Sequence, residues 1–332
     1  MIGAVAHYNL LERIGDSGLG EVYRARDTKA GRTVALKLAP PGYPDGQRRQ
    51  RLLEDARAAA TLSHPNIATL WDVGEHDGRL YFAYEFVRGT TLRQLMASGP
   101  MNARHALDLA VQLADALAEA HSRGVVHKDL RPEVILETGK GSAKILNFGM
   151  SLWSKGGQTR ALAAAVPDSV GADAAMILAY MSPEQVLGSG VDARTDVFSL
   201  GVIVYEMLTG RQPFAAHDAG TILINIARDT PPPPTSVVPD LPRMIDVALS
   251  RALTKTLDKR SQGASRLLAD LRRCRSLLDG GEAREPQPGS TPAPGKRTDL
   301  LPIEEDNGGS GLWWLVCALG AGMAAAVYFW SR

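Results

Sequence analysis

Val125–Gly149 reads VVHKDLRPEVILETGKGSAKILNFG, two short hydrophobic strands enclosing a polar turn. Its first half carries His127, Lys128, Asp129, Leu130, Arg131 and Pro132; its second half ends in Asn147, Phe148 and Gly149.

Upstream, Tyr8–Glu12, Glu21–Ala25 and Thr33–Leu38 have the alternating or continuous apolar runs of strands. The turn IGDSGLGEVY between the first two holds Gly15, Gly18 and Gly20, which let backbone N–H groups approach phosphate oxygens closely. Gln47–Leu62 reads as a helix, Ile67–Trp71 and Leu80–Phe86 as further strands, and Thr91–Met96 as a short helix. Asn102 is placed to cap a long helix over Ala103–Ser122, where Leu109, Leu113 and Leu117 recur every four residues.

Several short motifs, in this order and spacing, resemble the eukaryotic-like (Hanks-type) bacterial serine/threonine protein kinases. In the glycine-rich turn, Gly15, Gly20 and Val22 match, Ser17 replaces the middle glycine and Gly18 follows it. Val34-Ala35-Leu36-Lys37 matches the strand that presents a phosphate-binding lysine. His127–Asp129 falls on the catalytic loop, Asn147–Gly149 on the D-F-G motif, and Met181–Glu184 on A-P-E. Asp196–Gly201 resembles the start of the helix whose aspartate braces the catalytic loop.

The resemblance implies an α+β, bilobal protein-kinase-like fold over 8–278. It divides into a small antiparallel β N-lobe at 8–87 and a mostly helical C-lobe at 88–278. It implies ATP as the nucleotide, contacted by Gly15, Ser17, Gly18, Gly20, Val22 and Lys37, with Tyr84 at the back of the pocket and Glu85 to Val87 as the hinge. Asp55 falls where the family has a helix glutamate that pairs with the lysine. Asp129 is the expected proton acceptor, with Lys37 and Arg131 on the phosphates. His127 and Phe148 are expected to link the lobes, and Arg260 to pair with Glu184 as a brace.

Two departures shape the functional expectation. The family's metal-binding asparagine is Val134 and its metal-binding aspartate is Asn147, so magnesium loses both usual anchors. Glu133 and Glu137 are the nearby carboxylates to weigh as substitutes. The sequence therefore predicts a degenerate, pseudokinase-like regulator or scaffold that binds a nucleotide weakly or without metal, with a protein partner such as an active kinase or its substrate. The alternative is a serine/threonine kinase of low or unconventional activity. Ser151, Ser154, Thr159 and Ser169 are candidate phosphosites in the segment after Gly149.

Charge excludes another class. With 37 basic and 36 acidic residues the formal net charge is +1, so no field favours nucleic acid. Cys274 and Cys317 suggest neither a disulfide framework nor a metal cluster. The opening residues, MIGAVAHYNLLERIG, do not read as a secretory signal. From Asp279 to Gly311, a linker rich in Pro, Gly, Glu and Thr is expected. The uncharged Leu312–Trp330, bounded by Trp313, Trp314, Tyr328 and Trp330, would span about 28 Å as a helix. It predicts a single-pass transmembrane anchor, membrane localisation and a cytoplasmic kinase-like domain.

Overall fold

The computed structural model describes residues 3–16, 20–42, 46–150 and 178–279. The chain divides into two units, Met1–Ala283 and Arg284–Arg332, and the second lies outside the described residues.

The N-terminal part of the first unit is an antiparallel sheet of β1 (Gly3–Val5), β2 (Tyr8–Asp16), β3 (Glu21–Asp27), β4 (Arg32–Leu38), β5 (Leu70–His76) and β6 (Arg79–Glu85). Their order is β1-β2-β3-β4-β6-β5. β4 shows why its sequence makes a strand: Val34, Leu36 and Leu38 are buried and the residues between them partly exposed. β6 is sandwiched on both faces. Tyr81 and Ala83 pack with Tyr8, Leu10, Ala25, Val34 and Leu36, while Leu80, Phe82 and Tyr84 join Leu52, Ala56 and Ala59 of α1 (Gly46–Ala59).

A second sheet, β7 (Thr90–Thr91), β8 (Ile135–Glu137) and β9 (Ala143–Ile145), carries the stretch that opened the sequence reading. β8 and β9 are its two hydrophobic strands, paired antiparallel with Ile135 opposite Ile145. α2 (Leu92–Leu95) starts with a capping box between Thr91 and Gln94. α3 (Ala103–Ser122) begins at the Asn102 cap, whose Oδ1 accepts from the Arg104 and His105 amides at 3.1 and 3.3 Å. Leu109, Leu113 and Leu117 are buried on its inner face. Against α3 runs the Ala264–Asp279 helix, joined to it by ion pairs Arg104–Asp279, Arg275–Asp108 and Arg272–Asp115. The Ala193–Thr209 helix is buried from Thr195 to its end and forms the core of this lobe. It stops at Gly210, whose φ of +69° and contact with Pro100 leave no room for a Cβ.

This is the expected bilobal arrangement of a small antiparallel sheet and a helical lobe. The expected transmembrane helix is corrected. Among the described residues no helix is long and apolar enough to cross a membrane, and Leu312–Trp330 lies outside them. The single-pass topology, membrane localisation and membrane partner expected from that run have no support among the described residues. Ser17, Gly18, the four candidate phosphosites and the 280–311 part of the linker are likewise outside the described residues.

Candidate active site

The loop that carries Asp129 is fixed from below by Asp196, a wholly buried residue in the first turn of the Ala193–Thr209 helix. Its carboxylate accepts from the His127 and Lys128 amides and bonds His121 Nε2, each at 2.8 Å. Burial alone would push this carboxyl up, but the His121 bond, the nearby His127 and the main-chain donors outweigh it and hold its pKa below the usual value. The Gln185 side-chain amide donates to the Lys128 carbonyl at 2.6 Å, so the loop is held on both sides.

His127 is structural. The Asp129 amide donates to its Nδ1 at 3.2 Å, which leaves Nε2 to donate to the Leu146 carbonyl at 2.8 Å. Its ring meets Phe148 edge-on with centroids 4.8 Å apart.

Asp129 itself is partly buried, and Arg131 Nε donates to its Oδ1 at 3.3 Å. Burial raises its pKa above the usual aspartate value, against the opposing pull of Arg131 and His127. Lys37, on β4 opposite Val22 of β3, brings a second cation. Its pKa is lowered to about 8 by burial and by Arg131, with Asp129 pulling the other way. Asp129, Arg131 and Lys37 thus share one electrostatic neighbourhood. Gly20, just before β3, has a φ of +126°, and a Cβ there would lie 2.1 Å from the Leu38 carbonyl oxygen; only glycine fits this approach. Gly15 lies on β2 opposite Val22.

Asn147 is where the structure departs most from the sequence reading. The Lys37 amine donates to Asn147 Oδ1, an engagement the motifs alone did not suggest. Asn147 sits at φ +70°, a left-handed conformation that asparagine tolerates better than most residues. Asp55, on α1, forms an ion pair with Lys128, Oδ2 to Nζ, at 3.4 Å. Tyr84 donates through its hydroxyl to the Phe148 carbonyl at 2.7 Å, and Glu85 holds Lys144 at 2.7 Å as β6 ends toward Val87.

Magnesium does not fit this donor set. Val134 is buried and without a donor, Asn147 offers a neutral oxygen already engaged by Lys37, and no group of three His, Cys, Asp or Glu among the described residues could hold a metal ion. Glu133 is taken by Arg131 and Arg93 at 3.2 and 2.9 Å, and Glu137 by His105 at 2.8 Å.

Below the loop, Glu184 and Arg260 make two hydrogen bonds at 2.7 and 2.9 Å, with Thr195 donating to the same carboxylate at 2.6 Å. Sequence reading missed Arg93, which gathers Glu133, Glu206 and the Tyr180 hydroxyl. It lies on α2, outside every motif, so only the fold reveals it.

The protein kinase domain family model matches residues 8–271. The chain is 35% identical to serine/threonine-protein kinase PknB of Mycobacterium tuberculosis, over 89% of this chain and 46% of that protein. It is 36% identical to PknB of Mycolicibacterium smegmatis, over 80% of this chain and 42% of that protein. It thus spans less than half the length of these curated relatives. The crystal structure of a point mutant of the Mycobacterium tuberculosis PknI kinase domain superposes with a TM-score of 0.63 at 26% identity, covering 82% of this chain and 97% of that one.

These likenesses overturn the pseudokinase-like, catalytically impaired reading, and with it the regulatory scaffold. Sequence reasoning counted Asn147 and Val134 only as lost metal ligands. It did not see that Asn147 fixes Lys37, although it did place Asp129 beside Arg131 and the Asp196 brace under the loop, as the structure has them.

Proposed function

Because the chain belongs to the protein kinase domain family, in its eukaryotic-like bacterial serine/threonine branch, we propose that it is an ATP-dependent serine/threonine protein kinase. The observation that carries this reading is the Asp129 carboxylate, held beside Arg131 on a loop locked by Asp196 and sharing its surroundings with the Lys37 cation. In the proposed reaction a serine or threonine oxygen of a protein substrate attacks the γ-phosphorus of ATP. The new O–P bond forms as the bond to the β-phosphate oxygen breaks, ADP leaves, and the hydroxyl proton passes to Asp129. Burial of Asp129 favours its accepting that proton. Lys37 and Arg131 supply positive charge to the phosphates, the kind of stabilisation on which phosphoryl transfer depends. No step is assigned to a metal ion.

The proposed nucleotide contacts are Gly15, Ser17, Gly18, Gly20 and Val22 from the turn, Lys37 from β4, and Tyr84, Glu85 and Val87 along the hinge. The proposed kinase domain is 8–278, with lobes at 8–87 and 88–278 and a linker from 279 to 311. The test is transfer of labelled γ-phosphate from ATP to a serine- and threonine-containing protein by the full chain. Transfer that falls at least about 100-fold in Asp129→Asn supports the reading. No transfer by the unaltered chain, or undiminished transfer by the variant, refutes it.

A further inference from the structure

We propose that Lys128 and Asp55 form an ionic latch holding α1 against the catalytic loop. Its catalytic consequence rests on the kinase reading above.

The Lys37 amine donates to Asn147 Oδ1 and lies 5.7 Å from the centre of the Tyr84 ring, so its position is fixed by the loop after β9 and by β6. A different cation reaches α1 from below, Lys128 at 3.4 Å from Asp55 Oδ2.

Lys128 is well anchored for this role. Its amide donates to the buried Asp196, its carbonyl accepts from Gln185, and its φ of +66° is a left-handed conformation uncommon for a lysine. A long flexible side chain has thus been given a fixed root. On the other side, α1 is pressed onto the loop through Gly149, where a Cβ would lie 2.8 Å from Ala56 Cα and 3.0 Å from the Asp55 carbonyl oxygen. The backbone of residue 55 is therefore already in contact, and the Asp55 side chain needs only a short reach to Lys128.

The pair is about one-third exposed on each side, so its contribution is modest and salt-sensitive. Asp55 and Lys128 are positioning residues; they set where α1 sits and touch no reacting atom.

The experiment measures two things in the full chain: hydrogen exchange of the α1 amides, and kcat and KM for ATP. Asp55→Asn and Lys128→Met should each speed α1 exchange and lower kcat about threefold to fivefold, leaving the KM for ATP little changed. Combining them should cost no more than either alone. Lys128→Arg, which keeps the charge, should retain both properties, and the exchanged pair Asp55→Lys with Lys128→Asp should recover most of what Lys128→Asp loses. Unchanged α1 exchange in Lys128→Met, or strictly additive effects of the two single changes, would overturn the latch. If the unaltered chain transfers no phosphate, the kinase reading fails, and the exchange data still decide whether the latch exists.

Discussion

Arg260 and Glu184, separated by 76 residues in the chain, meet in a two-pronged ion pair whose side chains are 0% and 3% exposed. Burial would push the glutamate's pKa up, but Arg260 and Thr195 overcome that and hold it below its ordinary value. Removing one partner strands a buried charge, so Arg260→Leu should destabilise the fold by about 3–5 kcal/mol in denaturant titrations. A loss within about 1 kcal/mol would show that water reaches the remaining carboxylate.

The Lys37 amine should change charge near pH 8, well below its ordinary 10.5. Folding with this amine charged is therefore unfavourable below about pH 8, and that penalty disappears as pH rises toward 10.5; the Lys37 contribution becomes less destabilising across this window. Nucleotide binding runs the opposite way, because deprotonation removes a cation from the phosphates. The KM for ATP should rise as pH climbs through about 8. Asn147→Asp places a carboxylate against the amine and should shift that rise to higher pH. A pH profile identical to that of the unaltered protein would disprove the coupling.

Gly149→Ala should loosen the join between α1 and the loop. The added methyl carbon would lie 2.8 Å from both Ala56 Cα and Ala59 Cβ, and φ is +80°. Backbone cannot yield as a side-chain tip can, so a loss of about 2 kcal/mol is expected, read as an earlier denaturation midpoint. An unchanged midpoint would mean that α1 moves freely.

Arg93→Met should expose a different dependence. It leaves Glu206, 9% exposed on its side chain, without its cation, and Glu133 with Arg131 alone. A loss of about 2–3 kcal/mol is expected in denaturant titrations. An unchanged midpoint would show that these carboxylates do not depend on Arg93.

Sequence carried the site as far as local motifs reach. Lys37 lies near the end of β4, Asp129 sits on the loop just before β8, and Glu184 and Arg260 fall in recognisable surroundings, so their placement was legible. The pairing of Asp55 with Lys128 was not, because it depends on how α1 is seated over a loop 73 residues further along. Nor was β1, which has only three residues and turns through Ala6 at φ +50°. Arg93 was illegible for the same reason as Asp55: its partners at 133, 180 and 206 meet only in the folded protein. The functional misreading came from assigning Asn147 a single task.

Three elements of the smaller lobe bear on one tripeptide of the larger: Lys37 of β4 on Asn147, Tyr84 of β6 on the Phe148 carbonyl, and α1 on Gly149. The tripeptide is a fulcrum. A tilt of the small lobe, whether started by the sheet or by the helix, must displace the same stretch of main chain. Sheet and helix are thus geared together through these three residues, with no separate relay needed between them.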